Sequence, residues 1–152
     1  SAELSPTKKV PFLVDGHIQL SDSSAILKYI REKNEQSFLA DTEQFDVYCL
    51  INTIMDATIN VFYLENEGTS SDDNIYIQRQ TTRINDGLKH IEKLLVKARI
   101  NDADAVLRLA CFLDWGIFRN RFSIETFTHL RAFLAVYDND PFFKATNPSI
   151  SK

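Results

Sequence analysis

Early in the chain the apolar residues first alternate and then take up a helical period. Val10, Phe12 and Val14 alternate with other residues, as in a short strand. Asp15-Gly16 follows as a strong hairpin signal, and Ile18 and Leu20 mark a second short strand. Asp22, Ser23 and Ser24 are good helix-start residues, and Ala25, Ile26, Leu27 and Ile30 give the helix after them an apolar face, to about Lys33. Asn34 to Ser37 is a polar linker, followed by Phe38-Leu39-Ala40, and marks a boundary between domains.

Beyond the linker the apolar patterns are helical. Asp41 or Thr42 caps a long helix, with Glu43 and Gln44 in its first turn. From Phe45 to about Tyr63, Tyr48, Ile51, Met55, Ile59 and Phe62 fall three and four apart. Asn52, Asp56 and Asn60 form a polar stripe on it, either a solvated face or the wall of an interdomain cleft or a dimer face. Glu65 to Asn74 reads as a Gly-Ser-Asp loop. The next helix is expected from about Asn74 to Ala98, with Ile77, Ile84, Leu88, Ile91 and Leu95 on its apolar side. Gly87 inside it costs up to ~1 kcal/mol against alanine, which close helix packing would explain. Asn101 reads as the next cap, with Asp104 three residues on and Ile100 placed for a hydrophobic staple. Ala105, Val106, Leu109, Ala110, Phe112 and Leu113 make that helix apolar almost all round, so it belongs in a core. Ile124, Phe127, Leu130, Phe133, Leu134 and Tyr137 describe one more amphipathic helix. No repeat or low-complexity segment interrupts the chain.

Composition narrows the class of function. A chain of 152 residues suits one domain, or a small domain with part of another, and 4 Gly with 4 Pro suits a helix-rich fold. A net charge of −4, without basic residues clustered with aromatics, argues against a nucleic-acid partner. No apolar run approaches the ~20 residues of a membrane span, and no secretory signal opens the chain, so no membrane partner is expected. Cys49 and Cys111 sit in apolar helical patterns and read as buried free thiols in a reducing, cytoplasmic setting. His17, His90 and His129 are scattered without metal-ligand spacing, so no metal site is expected. There is no Gly-rich phosphate loop and no Gly-x-Ser-x-Gly turn.

Two features of the opening unit carry chemistry. Proline donates nothing to a β-ladder, so Val10-Pro11 sits at a strand start, and a cis bond would leave the Val10 carbonyl and amide facing outward for a ligand. Asp22-Ser23 at a helix N-terminus combines free amides, the helix dipole and a hydroxyl into an anion site. A plain hairpin with a capped helix accounts for the same residues.

The order Val-Pro, hairpin, acidic residue and serine, helix resembles the second half of the thioredoxin-like domain of glutathione transferases, position by position over Leu20 to Ile26. There the valine backbone meets the cysteinyl part of glutathione and the acidic-Ser pair holds the γ-glutamyl part. The resemblance therefore implies substrate-binding roles for Val10, Pro11, Asp22 and Ser23. Asp22 stands where the family usually has Glu or Gln, one methylene longer. Ser5 to Lys9 resembles the family's Asn-Pro-x-Gly-Lys segment, with Lys8 in place of the glycine. Asn101 to Asp104 resembles the Ser/Thr-x-x-Asp box that opens the family's buried central helix. Leu113 to Arg119 and Asp140 to Thr146 are similar to later family segments, the last being a turn that packs the tail back on the bundle.

The resemblance implies a mainly α fold: a β-hairpin and helix left from a thioredoxin-like domain over residues 1–36, then an all-helical domain over 37–152. It implies glutathione as co-substrate rather than cofactor, a small electrophile as second substrate, and a homodimer to which the long helix from Phe45 contributes. It also implies that a strand-helix-strand unit carrying the thiolate-stabilising Tyr, Ser or Cys comes before Val10. No residue here takes that role by motif, Ser5 included. The chain is therefore expected to be truncated, and inactive alone. Three readings stay open: a glutathione transferase seen without its first part, a non-catalytic binding or assembly module of the same family, and a structural helical domain. Tyr48, Met55 and Trp115 are candidates for the electrophile's pocket.

Overall fold

The computed structural model describes residues 5, 7–70 and 74–150. The loops expected over residues 1–9 and 65–74 lie partly outside them, at 1–4, 6 and 71–73. Among the described residues the chain is mainly helical with a two-stranded sheet. It divides into two compact units, Ser1–Ala40 and Asp41–Lys152.

The first unit holds β1 (Leu13–Asp15), β2 (Ile18–Leu20) and α1 (Ser23–Lys33). The strands pair antiparallel with Leu13 opposite Leu20 and Asp15 opposite Ile18, leaving Gly16-His17 as the loop. Gly16 takes φ +59°, the left-handed backbone that such short hairpins require. The alternation expected of Val10, Phe12 and Val14 gives way to a strand that starts at Leu13. Leu13, Ile18 and Leu20 are half-buried, and Val14 points outward and is exposed.

The second unit is built on α2 (Thr42–Asn66), which packs against both α3 (Ile75–Val96) and α4 (Ala103–Phe118). Asp41 caps α2 by accepting from the Gln44 amide at 2.9 Å. The buried line on α2 runs through Val47, Tyr48, Ile51, Ile54, Ala57, Thr58 and Val61, while Met55, Ile59 and Phe62 are only half-buried. A helix apolar over so wide an arc satisfies more than one choice of face. Thr58 is tolerated inside because its hydroxyl donates to the Ile54 carbonyl at 2.8 Å. Among the described residues α2 alone is long and apolar enough, by length and composition, to cross a membrane, a point the reading of single apolar runs missed. Here its apolar face is spent on the core.

On α3 the buried residues Ile77, Ile84, Leu88 and Ile91 are those the spacing gives, joined by Gln80, while Leu95 is half-buried. α4 begins one residue later than expected. Its cap is Asp102, which accepts from the Asp104 amide at 2.8 Å. Asn101 is diverted: its amide and that of Asp102 both donate to Gln44 Oε1 at 3.0 Å, and Gln44 Nε2 donates to the Arg99 carbonyl at 2.9 Å. Cys49 and Cys111 are free, as expected, but exposed rather than buried. An apolar run around a helix does not say which side faces water. Burial of the sulfur still pushes the Cys111 thiol up from its ordinary pKa.

The last amphipathic helix is shorter than its pattern. α5 covers Thr128–Ala135, a 3₁₀ turn Val136–Asn139 follows, and α6 is Pro141–Ala145. Ile124 is buried but lies in the loop ahead of α5. No residue next to α5 caps it. Glu92 of α3 does so instead, accepting from the His129 amide at 2.9 Å, the Leu130 amide at 2.8 Å and His129 Nδ1 at 2.9 Å. Burial raises the Glu92 pKa, and these bonds together outweigh it, leaving the carboxyl below its ordinary value. The tail returns to α4 where Asn147 Nδ2 donates to Asp114 at 3.0 Å.

Two outcomes follow from this packing. A Cβ at Gly87 would sit 2.4 Å from Ile54 Cδ1, which is fully buried and cannot swing away. Gly87→Ala is therefore expected to destabilise by about 1–3 kcal/mol, overriding the ~1 kcal/mol gain in helix propensity. Ile54→Ala in the same chain should recover part of the loss, and thermal unfolding of the two variants decides. Glu92→Ala is expected to cost about 1–2 kcal/mol near neutral pH. Because the folded pKa is depressed, that contribution is present above the ordinary carboxylate value and is lost as pH falls through the folded one. Circular-dichroism melts should show the gap between wild type and Glu92→Ala closing on acidification. A gap that holds at low pH would refute the carboxylate cap.

Candidate functional site

The opening unit places the four proposed binding residues by its hairpin register. The pairing that sets Leu13 opposite Leu20 carries Pro11 and Val10, on one arm, and Asp22 and Ser23, on the other, to the same open end of the hairpin. The Val10-Pro11 peptide bond is cis, as expected, and Val10 is 78% exposed. Lys8, in the position where the resembled segment has glycine, takes φ +56°. The turn keeps the left-handed backbone that glycine suits, and the Lys8 amide closes it onto the Ser5 carbonyl at 2.9 Å. Ser5 is fully buried, its hydroxyl 3.2 Å from Thr7 Oγ1.

Asp22 is the cap of α1. Its Oδ1 accepts from the Ser24 amide at 2.8 Å and the Ala25 amide at 3.3 Å, and its backbone is extended, as a cap requires. Asp22 is exposed and its Oδ2 has no partner among the described residues. Ser23 follows as the first helical residue and is half-buried. The first turn of α1 has no acidic side chain, and the Asp22 cap offsets the positive end of the helix dipole.

A second polar group ties the hairpin to α1. Asp15 Oδ2 accepts from the Tyr29 hydroxyl at 2.8 Å and from Lys33 Nζ, whose ring-facing ammonium also lies 5.6 Å from the Tyr29 ring centre. The Lys33 bond, then the Tyr29 bond, hold the Asp15 carboxyl below its ordinary range, while bonding to Asp15 raises both Tyr29 and Lys33. The helix N-terminus is thereby fixed relative to the strands at its far end. Nothing in the spacing of Asp15, Tyr29 and Lys33 announces this group, because it depends on how the helix lies against the hairpin.

The three residues suggested for an electrophile pocket separate. Tyr48 is a core residue, 1% exposed, with its hydroxyl accepting from Arg108 Nη2 and its ring under the Arg108 guanidinium. Met55 and Trp115 are half-buried, and Trp115 meets the Phe62 ring edge-on at 5.9 Å. On the polar stripe of α2, Asn60 donates to the Tyr76 hydroxyl of α3 at 3.4 Å.

Residues 1–38 match the family model of the glutathione S-transferase N-terminal domain. Among solved structures, the chain is similar to a glutathione S-transferase of Methylobacterium radiotolerans JCM 2831 in complex with glutathione sulfonate. That similarity has a TM-score of 0.76 at 20% identity and covers 96% of this chain and 75% of the other. No curated protein matches the chain.

Proposed function

With residues 1–38 in the glutathione S-transferase N-terminal domain family and the chain in the glutathione transferase fold, we propose that it contributes to conjugation of the glutathione thiolate to a small electrophile. The observation that carries this reading is the open end of the hairpin. There an exposed Val10, before a cis proline, and a helix start bearing Asp22 and Ser23 flank the two paired strands.

Each group has a distinct task in this reading. The Val10 backbone bonds the peptide-like cysteinyl portion of glutathione. The dipole of the α1 start, with the Ser23 amide and hydroxyl, holds the γ-glutamyl carboxylate, the Ser24 and Ala25 amides being taken by Asp22 Oδ1. Asp22 Oδ2 takes the γ-glutamyl ammonium while Oδ1 keeps the helix capped. A thiol with an ordinary pKa of about 8.5 is mostly protonated at neutral pH, so conjugation also needs a group that lowers it. In the family that group lies in a strand-helix-strand unit ahead of the Val-Pro strand, and none of the described residues is assigned the role. The protein works in the cytoplasm, as a homodimer to which α2 contributes.

Two measurements test this. A version extended by the family's preceding unit should conjugate a chromogenic electrophile, whereas the 152-residue chain should not accelerate the reaction. In the active version, Ser23→Ala should raise the glutathione KM about tenfold, the scale of one lost bond to a charged group, with little change in helix content because Asp22 remains the cap. Robust activity from the 152-residue chain would show that the thiolate-lowering group is misplaced, and an unchanged KM in Ser23→Ala would refute the binding role of Ser23. Sedimentation should show a dimer, and a monomer at high concentration would exclude the homodimer.

A further inference from the structure

The C-terminal ends of α2 and α4 bring the rings of Phe62 and Tyr63 to a stretch, Trp115 to Phe122, in which aromatics and arginines already alternate. Phe62 and Tyr63 come from α2, Trp115 and Phe118 from α4, and Arg119 and Arg121 from the turn that follows. The Arg119 guanidinium lies 5.6 Å from the Phe62 ring centre and 5.1 Å from that of Phe118. Arg121 approaches the same Phe62 ring at 5.3 Å. Two cations thus share one aromatic platform.

The turn that carries them is fixed. Asn120 takes φ +54°, the Arg121 amide bonds the Gly116 carbonyl at 2.8 Å, and Arg121 Nε donates to the Arg119 carbonyl at 2.7 Å. Phe122 then folds back onto α4. A Cβ at Gly116 would sit 2.2 Å from its ring, and Phe112 packs on its other side at 5.2 Å. The arginines are positioned before any partner arrives, which lowers the ordering cost of binding.

Their charges are not equally met. Arg121 pairs with Glu65. Arg119 is exposed, and among the described residues no carboxylate or other acceptor meets its guanidinium, only the two rings. Ring faces leave its planar fork of donors unused. Phe118 beside it is 43% exposed, and Tyr63, which follows Phe62 on α2, is 61% exposed. The cavity of about 360 Å³ lies elsewhere, lined by Asp41, Gln44 and Asp102 among others, at the opposite end of α2. Small ligands favour concave pockets, whereas an open surface of aromatic residues and arginine has the composition of a protein-interface hot spot.

We propose that this patch docks an acidic segment of a partner protein, with a carboxylate on Arg119 and an apolar side chain on the exposed ring of Phe118. Charge selects the occupant. The unmatched cation calls for a carboxylate, and a fork of guanidinium donors binds one in bidentate fashion. A nucleic acid would bring its whole negative charge against a net −4, while a short acidic segment feels mainly the local field of Arg119 and Arg121.

Trp115 is the 1 tryptophan of the chain and lies in the patch, so its emission reports occupancy directly. The probe is a Trp-free synthetic peptide of Glu with interspersed Leu and Phe, compared with the same peptide carrying Lys for Glu. The acidic peptide should give a saturable change that weakens with salt, and the basic one none. Arg119→Ala should weaken binding about tenfold, and Arg119→Lys by less, since lysine keeps the charge without the fork. Unchanged circular dichroism and melting of both variants establish that they fold. Equal responses to the two peptides, or an unchanged titration in Arg119→Ala, would overturn the proposal. So would a response confined to an oligonucleotide or an aryl sulfonate. Glutathione should leave the peptide's affinity unchanged, and displacement by it would move the binding to the hairpin site and likewise overturn the proposal.

Discussion

Ile54 occupies the space that a side chain at position 87 would need. That fit lets α2 and α3 approach closely, and the rest of the helical unit depends on it. With α3 drawn in, Glu92 is placed to cap α5, and α5 brings the tail along. With α2 held centrally, Gln44 at its start can bond three backbone groups of the α3–α4 connection, which sets where α4 begins. A buried amide satisfied on both its oxygen and its nitrogen is inexpensive to keep and costly to break. One close approach, the buried Gln44 and the half-buried Glu92 thus position three helices whose own propensities are ordinary.

How far the sequence discloses this varies with the range of each interaction. The hairpin turn, the start of α1, the cap of α2 and the lengths of α2 and α3 are local, and residue types within a few positions announce them. Gly87 is informative because glycine inside a long helix is costly without a reason. What escapes is long-range. The choice of Leu13 over Val14 for the inner face depends on which register the hairpin adopts, and a shift of one residue turns every side chain over. The start of α4 moved because Gln44, far back in the chain, takes the Asn101 and Asp102 amides. Ile124 fits the helical period of α5 yet is buried from a loop, since burial rather than helicity creates an apolar position.

What is local in the candidate site was legible, because Val10, Pro11, Asp22 and Ser23 belong to one short unit: the cis Val10-Pro11 bond and the Asp22 cap are features that the residue types themselves announce. Lys8 shows how a local signal can mislead in detail. The absence of glycine there suggests a different turn, yet lysine accepts φ +56°. A left-handed backbone costs an ordinary residue roughly 1–2 kcal/mol, an amount the surrounding contacts can offset. The arginine–aromatic patch was legible only in part: Trp115, Phe118, Arg119 and Arg121 are near one another in the chain, but Phe62 meets Arg119 only through the packing of α2 on α4. Reading the basic residues along the chain suggests that none gather with aromatics, and the folded turn after α4 corrects that.

Asp22 presents the sharpest chemical constraint in the opening unit. An aspartate is short enough for its carboxylate to curl back onto the Ser24 and Ala25 amides, and it does so. A glutamate at that place, one methylene longer, caps poorly but extends further toward a bound ammonium group. The residue found here therefore exchanges reach for a well-formed helix start. Because the cap uses Oδ1 and leaves Oδ2 open, the two tasks do not exclude each other. Under the proposed function they require the ligand's amine to come close to the helix axis, where the Ser23 hydroxyl and the helix dipole would favour the adjoining carboxylate. A zwitterionic head group, negative toward the amides and positive toward the outer carboxylate oxygen, meets that geometry better than a simple anion does. Specificity for an amino-acid-like end would then come from the cap itself.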